Sequence, residues 1–184
     1  MLDEENTEKN LQELFPDTND DELVDTFENT LQKLLGILNI SLEPTKHTYT
    51  VYNNKFQNII LPLHFVIELT SITSEYGEVP ETEYLFNKEL GMIRFKNKEL
   101  PNYEMLTIIY VTKIPEHYVV NTLYPIVYDM MKYDALPDDQ KNISSIHEGN
   151  VSIGYDTGSS LYAIINNRIN QVKSEITHCS VMII

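Results

Sequence analysis

The chain has 184 residues, of which 42% are apolar and 22% charged, and its 28 Asp and Glu residues outnumber 13 Lys and Arg to give a formal net charge of −15. This length and composition predict one or at most two globular domains, each with a hydrophobic core. The acidic surplus argues against a protein that holds nucleic acid by neutralising its phosphates.

Targeting and redox signals point to a cytoplasmic setting. The N-terminal segment MLDEENTEK lacks the basic-then-apolar pattern of a secretory signal, and no apolar run reaches the roughly 18 residues that a membrane span needs. Cys179 is the single cysteine, so the chain cannot form an intrachain disulfide or a thiolate zinc site. We therefore expect a protein made in a reducing cytoplasm, with no membrane partner.

Two helical patterns occupy the first 40 residues. Leu11, Leu14 and Phe15 precede Pro16 at helical spacing, which predicts a short helix over 4–15. From Asp21 onward apolar residues recur every three or four positions, and this period predicts a second helix over 20–38. Its apolar stripe consists of Leu23, Val24, Phe27, Leu31, Leu34, Leu35 and Leu38. Most of the acidic surplus lies in residues 1–28, which a solvated helix face would explain.

Between residues 45 and 113 the apolar period becomes alternating, which is typical of strands. Strands are predicted over 47–54, 82–87, 91–97 and 103–112, with a turn over 75–78. The run 58–74 is predicted to hold one or two strands, broken or bulged at Pro62. Within the run 58–74, Ile67, Leu69 and Ser71 alternate with Val66, Glu68 and Thr70. This alternation indicates one face packed on the core and one face exposed to solvent. We therefore expect a small antiparallel sheet inserted between two helices.

The stretch 114–133, IPEHYVVNTLYPIVYDMMKY, is predicted to be the central helix of the core. Pro115 and Glu116 suit a first helical turn. Seven apolar residues follow at helical spacing: Val119, Val120, Leu123, Ile126, Val127, Met130 and Met131. Four tyrosines occupy much of the other side, so we expect contacts on more than one face. Pro125 removes a backbone donor and is expected to kink the helix near 121–124.

The last third of the chain is predicted to be an arm, a helix and a tail. Residues 135–142 have the composition of a polar linker, and residues 144–155 alternate like an extended arm or strand. A final helix is predicted over 159–176, with an apolar stripe at Leu161, Ile164, Ile165, Ile169, Val172 and Ile176. The apolar end THCSVMII permits two interpretations, a last strand on the protein's own sheet or insertion into a partner subunit, and an exposed apolar end favours the partner.

No combination of residues in the sequence predicts an active site. The five histidines are scattered without the spacing of metal ligands. His178 and Cys179 are adjacent and point in different directions, and the serines after Gly158 suit a helix cap better than a nucleophile. Glu81 and Glu83 lack the flanking geometry of a glycosidase pair. We therefore expect a protein that is not an enzyme, with no catalytic, cofactor-binding or metal-binding residues.

Three blocks of sequence, taken in order, carry a resemblance to a known family. The first is NDDELVDTFENTLQKLLG. The second runs from ILPLHFVIELTSIT through TEYLFNKELGMIRFKN to MLTIIYVTKIPEHYVVNTLYPIVYDMMKY, and the third is ISSIHEGNVSIGYD followed by a helix. Their succession resembles that of bacteriophage head-tail connector (adaptor, or head completion) proteins, which form the ring beneath the portal.

The expected fold class is α+β: a small helical bundle with an antiparallel β-sheet insertion between the helices and an extended C-terminal arm and helix. The expected body covers residues 1–133, with helices 4–15, 20–38 and 114–133 and the β insertion 45–113. Residues 134–184 are then the C-terminal arm, helix and tail for portal docking.

The resemblance implies a structural virion protein of a tailed bacteriophage. It would form a neck ring of twelve subunits that joins the portal protein to the downstream neck or tail-completion protein, after a stage in the host cytoplasm. Genomic DNA would pass through the channel without specific binding, because an acidic lining repels phosphate. Other hypotheses are a tail or baseplate accessory module that binds a host surface component, an enzyme of unrecognised type and an acidic DNA mimic.

The predicted contacts with the portal or a neighbouring subunit lie in the final helix and the tail. A flexible arm and an apolar end suit assembly, because a segment that orders on docking covers a large surface. The predicted contact residues are Leu161, Ile165, Ile169, Val172, Ile176, Val181, Met182, Ile183 and Ile184.

Overall fold

The computed structural model describes residues 11–16, 18–54, 58–96, 103–141, 146–148, 151–153 and 157–177. In chain order the elements are α1 (Asp20–Leu38), β1 (Thr45–Asn54), β2 (Asn58–Ile60), β3 (Val66–Ser74), β4 (Gly77–Glu78), a 3-10 turn (Glu81–Glu83), β5 (Tyr84–Asn87), β6 (Met92–Phe95), β7 (Tyr103–Thr112), α2 (Glu116–Tyr118), a π-helical turn (Val119–Leu123), α3 (Tyr124–Ala135), α4 (Asp138–Lys141), β8 (Ile146–Glu148), β9 (Val151–Ile153) and α5 (Thr157–Ile176). Helices and antiparallel sheets together confirm the predicted α+β class.

The chain divides into two compact units. The described residues of 1–40 and 116–172 form the first unit, which contains α1, α2, the π-helical turn, α3, α4, the β8–β9 hairpin and most of α5. The described residues of 41–115 and 173–184 form the second unit, which contains β1 to β7 and the last turn of α5. The division into an adaptor body and a docking arm remains a prediction about function.

In the first unit the central helix consists of α2, the π-helical turn and α3. The backbone N–H of Tyr124 donates to the carbonyl of Val119, five residues earlier, instead of the usual four. Pro125 follows at once and has no N–H, and in a regular helix its ring would press on the carbonyl of Asn121. A π-helical turn widens the helix at this point. The expected interruption is therefore present, over 119–123.

Helix α1 packs on the central helix through the stripe that its sequence predicts. Six of the stripe's residues are buried: Leu23, Phe27, Leu31, Leu34, Leu35 and Leu38. The helix ends at Leu38 because Asn39 adopts the left-handed conformation with φ of 54° and its N–H donates to the carbonyl of Gly36 at 3.2 Å. The predicted helix over 20–38 is confirmed. Residues 11–14 are helical, and the rest of the predicted helix over 4–15 lies largely outside the described residues.

The second unit is built from two antiparallel sheets. The first has the strand order β1-β7-β3-β4 and the second the order β2-β6-β5. Apolar side chains from both sheets form its core: Ile59, Leu61, Val66, Ile72, Val79, Ile93, Phe95, Leu106, Ile108 and Tyr110. Along β7, Leu106, Ile108 and Tyr110 are buried whereas Met105 is exposed. The sheet therefore has one packed face and a more open one.

Strand β3 corrects the simple alternation predicted for 66–71. Its register against β7 shifts between Val66 and Glu68 and again between Leu69 and Ser71. Each shift changes which side chains point inward, so Val66 is buried but the next two residues, Ile67 and Glu68, are both exposed. A regular period of two cannot reproduce this pattern.

The run 58–74 is broken into two strands around Pro62, which is one of the predicted alternatives. The two strands belong to different sheets, whereas one small sheet was expected, and Phe65 between them has a φ of 59°. The predicted polar linker over 135–142 contains the short helix α4. The predicted arm over 144–155 contains a hairpin, in which Ile146 of β8 pairs with Ile153 of β9.

Candidate partner-binding site

Helix α5 carries five of the nine residues predicted to contact a partner. Four of them, Ile165, Ile169, Val172 and Ile176, are buried at 6% exposure or less, and Leu161 is half-buried. The stripe therefore packs within the protein's own chain, as an amphipathic helix normally does. Val181, Met182, Ile183 and Ile184 lie outside the described residues. Whether any of the nine contacts a partner stays a prediction.

In the first unit α5 is held to α3 by an ion pair and a ring contact. The guanidinium of Arg168 donates to the carboxylate of Asp129. The Asp129 side chain is only 17% exposed, so water screens this pair less than a surface pair. One turn after Asp129 on α3, the ring of Tyr133 contacts the ring of Tyr162 on α5, with centroids 5.6 Å apart. The central helix therefore has neighbours on more than one side, as predicted.

The last turn of α5 is tied to the second unit's loop between β2 and β3. The N–H of His64 donates to the carbonyl of Ile176 at 2.8 Å. Leu63 and Thr177 form an isolated antiparallel bridge. Thr177 therefore pairs with the protein's own chain, which fits the own-sheet interpretation for that residue.

Two apolar side chains of α5 remain open to solvent. Tyr162 is 55% exposed and Ile164 is 45% exposed. They are available to a partner without unfolding, whereas the buried stripe is not. The sequence did not distinguish Ile164 from its neighbour Ile165, because both fit a broad apolar stripe.

The second unit contains His47, His64 and the pair Glu81 and Glu83, which lie in three different segments. His47 Nε2 lies 2.8 Å from Thr112 Oγ1, and burial lowers the pKa of His47 below its ordinary value. Burial also lowers the pKa of His64. Within the described ranges, no three His, Cys, Asp or Glu side chains come together in a way that would hold a metal ion. The exposed Glu81 and Glu83 lie in the 3-10 turn.

A search for membrane spans among the described residues finds no helix long and apolar enough to cross a bilayer.

Solved structures similar to this chain include two from gene transfer agent particles. No protein-family model and no curated protein matches the chain. A chain in the neck of an empty gene transfer agent particle, computed with C6 symmetry, is 14% identical with a TM-score of 0.44, over 84% of this chain and 80% of that one. A chain in the virion of a native gene transfer agent particle is 14% identical with a TM-score of 0.41, over 82% of this chain and 77% of that one. Likeness at this level assigns no function, so the proposal below rests on the chain's own features.

Proposed function

We propose that the protein is a neck adaptor of a tailed bacteriophage, a structural subunit of a ring of twelve copies between the portal and the downstream neck or tail-completion protein. The observation that carries the proposal is the order of the parts. Each sequence block that resembles connector proteins folds into the elements that the resemblance implies: the first into α1, the second into strands followed by the central helix, and the third into the β8–β9 hairpin followed by α5.

The charge of the chain suits a subunit that lines a channel for DNA. Asp21, Glu22, Asp25 and Glu28 are exposed on α1, and the whole chain carries a formal charge of −15. A wall of carboxylates repels phosphates, so DNA slides past it, whereas a basic wall would add a favourable contact with each phosphate. The proposed role therefore needs no specific DNA binding and no catalysis.

The proposed portal contact uses two exposed residues of α5 and the tail. Burial of the stripe residues fixes α5 to its own chain, so Tyr162 and Ile164, which lie on either side of the stripe, are held in fixed positions. The apolar residues 181–184 would add the remaining contact area. The buried residues Ile165, Ile169, Val172 and Ile176 would then act by positioning the helix.

The test is addition of purified protein to portal-bearing heads that lack a neck. We expect the protein to sediment with the heads and to form a ring at the portal vertex in electron micrographs. A chain that ends at Thr177 and carries Tyr162→Ser and Ile164→Ser should stay folded by circular dichroism but fail to bind. Leu85→Ser with Leu90→Ser is the matched control, because both are exposed apolar residues outside α5 and its tail.

Two results would contradict the proposal. The first is a wild-type protein that does not associate with heads, and the second is normal binding by the altered chain. Labelled protein at the tail tip of complete particles would instead support a tail or baseplate accessory module.

A further inference from the structure

Two exposed apolar side chains face each other on the open face of the first sheet. Tyr52 of β1 and Met105 of β7 are directly opposite in the antiparallel register. Tyr52 is 69% exposed and Met105 is 39% exposed. Leu106, the next residue along β7, is fully buried. The pair therefore lies on the side of the sheet that does not contribute to the core.

Glu75 ties the turn that carries Tyr76, a second exposed tyrosine, to the part of β7 that contains Met105. One carboxylate oxygen of Glu75 accepts from the N–H of Glu104 at 3.0 Å, and the other accepts from the N–H of Met105 at 3.4 Å. These bonds lower the pKa of the Glu75 carboxyl. They fix the turn between β3 and β4 against the start of β7. Tyr76, the next residue in that turn, is 79% exposed.

The turn that carries Tyr76 is itself ordered by hydrogen bonds. Ser74 Oγ accepts from the N–H of Tyr76 at 3.2 Å and donates to the carbonyl of Gly77 at 3.1 Å. Gly77 supplies a φ of 118°, which other residues rarely adopt. Tyr76 is therefore presented by a defined backbone. A partner would bind it without first ordering the turn, which lowers the cost of association.

The composition of this group is that of an interface centre. Tyrosine and methionine are enriched in protein interfaces, where they supply large contact areas. Two carboxylates in the same part of the sheet, Glu75 and Glu78, are exposed. A complementary surface would therefore place Lys and Arg around an apolar centre, and an Arg guanidinium would also stack on tyrosine. A second copy would bring the same carboxylates and would be repelled.

We propose that Tyr52, Tyr76 and Met105 form an interaction surface, the sheet patch, for another protein whose matching face is apolar at its centre and basic at its rim. The sheet patch belongs to the second unit and shares no residue with the proposed portal contact. It therefore adds an interface that the adaptor proposal does not assign, and it does not depend on that proposal.

The first test replaces Tyr52 or Tyr76 with the photo-crosslinking residue p-benzoylphenylalanine in cells that assemble particles. The same replacement at Leu85, an exposed residue of β5 at 56%, is the matched control. After irradiation, we expect both patch positions to form an adduct with one and the same polypeptide, at a peptide that contains Lys or Arg. We expect no such adduct from Leu85. An adduct with a second copy of this chain, or none from either patch position, would overturn the inference.

The second test asks whether the contact is electrostatic as well as apolar. Glu78→Lys should reduce the yield of the adduct about tenfold, because the rim of the partner would then meet a like charge. Glu43→Lys, at an exposed site outside the sheet patch, should leave the yield unchanged. An unchanged adduct in Glu78→Lys would overturn the basic-rim assignment. If the adduct forms but the protein is absent from purified particles, the adaptor proposal fails and the sheet patch stands.

Discussion

Phe27 of α1 and Tyr124 of α3 meet edge to face, with ring centroids 4.9 Å apart and ring planes at 88°. Tyr128, one turn further along α3, lies 5.5 Å from the same Phe27 ring. Phe27 and Tyr124 are both buried. One side chain of α1 therefore contacts two turns of the central helix, and such pairs add to the stability that area burial gives.

Truncation of this ring should cost much of the stability of the first unit. We expect Phe27→Ala to lower the free energy of unfolding by about 3–5 kcal/mol, through lost burial and the cavity that remains. Urea denaturation followed by far-ultraviolet circular dichroism measures the change. Glu28→Ala, at an exposed position of the same helix, should change it by no more than about 0.5 kcal/mol. Similar losses in the two variants would contradict this role.

Substitution of two isoleucines of α5 distinguishes a role in the protein's core from a role in partner binding. Ile169 is 6% exposed and Ile164 is 45% exposed on the same helix. Ile169→Ala should lower the free energy of unfolding of the isolated protein by about 2–4 kcal/mol, whereas Ile164→Ala should have a much smaller effect. Denaturation of both variants without any partner gives the answer. Wild-type stability in Ile169→Ala would show that the stripe does not support the fold.

The contact between α5 and α3 should be measurable as a coupling energy. A double-mutant cycle with Arg168→Gln and Asp129→Asn should give about 1 kcal/mol, since Asp129 is mostly buried while Arg168 is 47% exposed. High salt should reduce the value. The pair Lys33 and Asp134, 3.7 Å apart with both side chains more than half exposed, is the control and should show a smaller coupling. Equal couplings would contradict the expected effect of burial.

Alkaline unfolding should depend on two buried tyrosines. Burial raises the pKa of Tyr110 and of Tyr124 from the ordinary 10.0 to about 12. Between these values the unfolded chain has released the phenolic protons and the folded chain still holds them, so stability is full below pH 10 and falls as the pH rises to 12. Tyr110→Phe and Tyr124→Phe should each make that fall less steep. Free energies of unfolding across this range, with pH 7 as the reference, measure it, and an unchanged slope in both variants would contradict the assignment.

Much of the fold could be predicted because apolar periodicity is local. The stripe from Leu23 to Leu38 gave a helix over 20–38, and the structure has one at Asp20–Leu38. The alternating run over 103–112 is strand β7 at Tyr103–Thr112. The missing N–H of Pro125 was enough to expect an interruption just before it. These features depend on residues a few positions apart in the chain.

The parts that the sequence missed depend on distant pairing. The two register shifts of β3 exist only against β7, whose pairing residues lie about 40 positions away. The pairing of Arg168 with Asp129 likewise joins two helices and leaves no local pattern. For the candidate site, the period of 161–176 predicted an amphipathic helix but not what covers its apolar side. The residues that cover that side belong to the same chain.

The π-helical turn at Val119–Leu123 makes the length of this segment a structural constraint. A π-helical turn takes five residues through about the same rotation as four residues of α-helix, so loss of one residue would leave Ile126 and Met130 on their present face. The restored α-helix would, however, drive the Pro125 ring against the backbone carbonyl four residues earlier. The additional residue within Val119–Leu123 is therefore what lets a proline stand inside this helix.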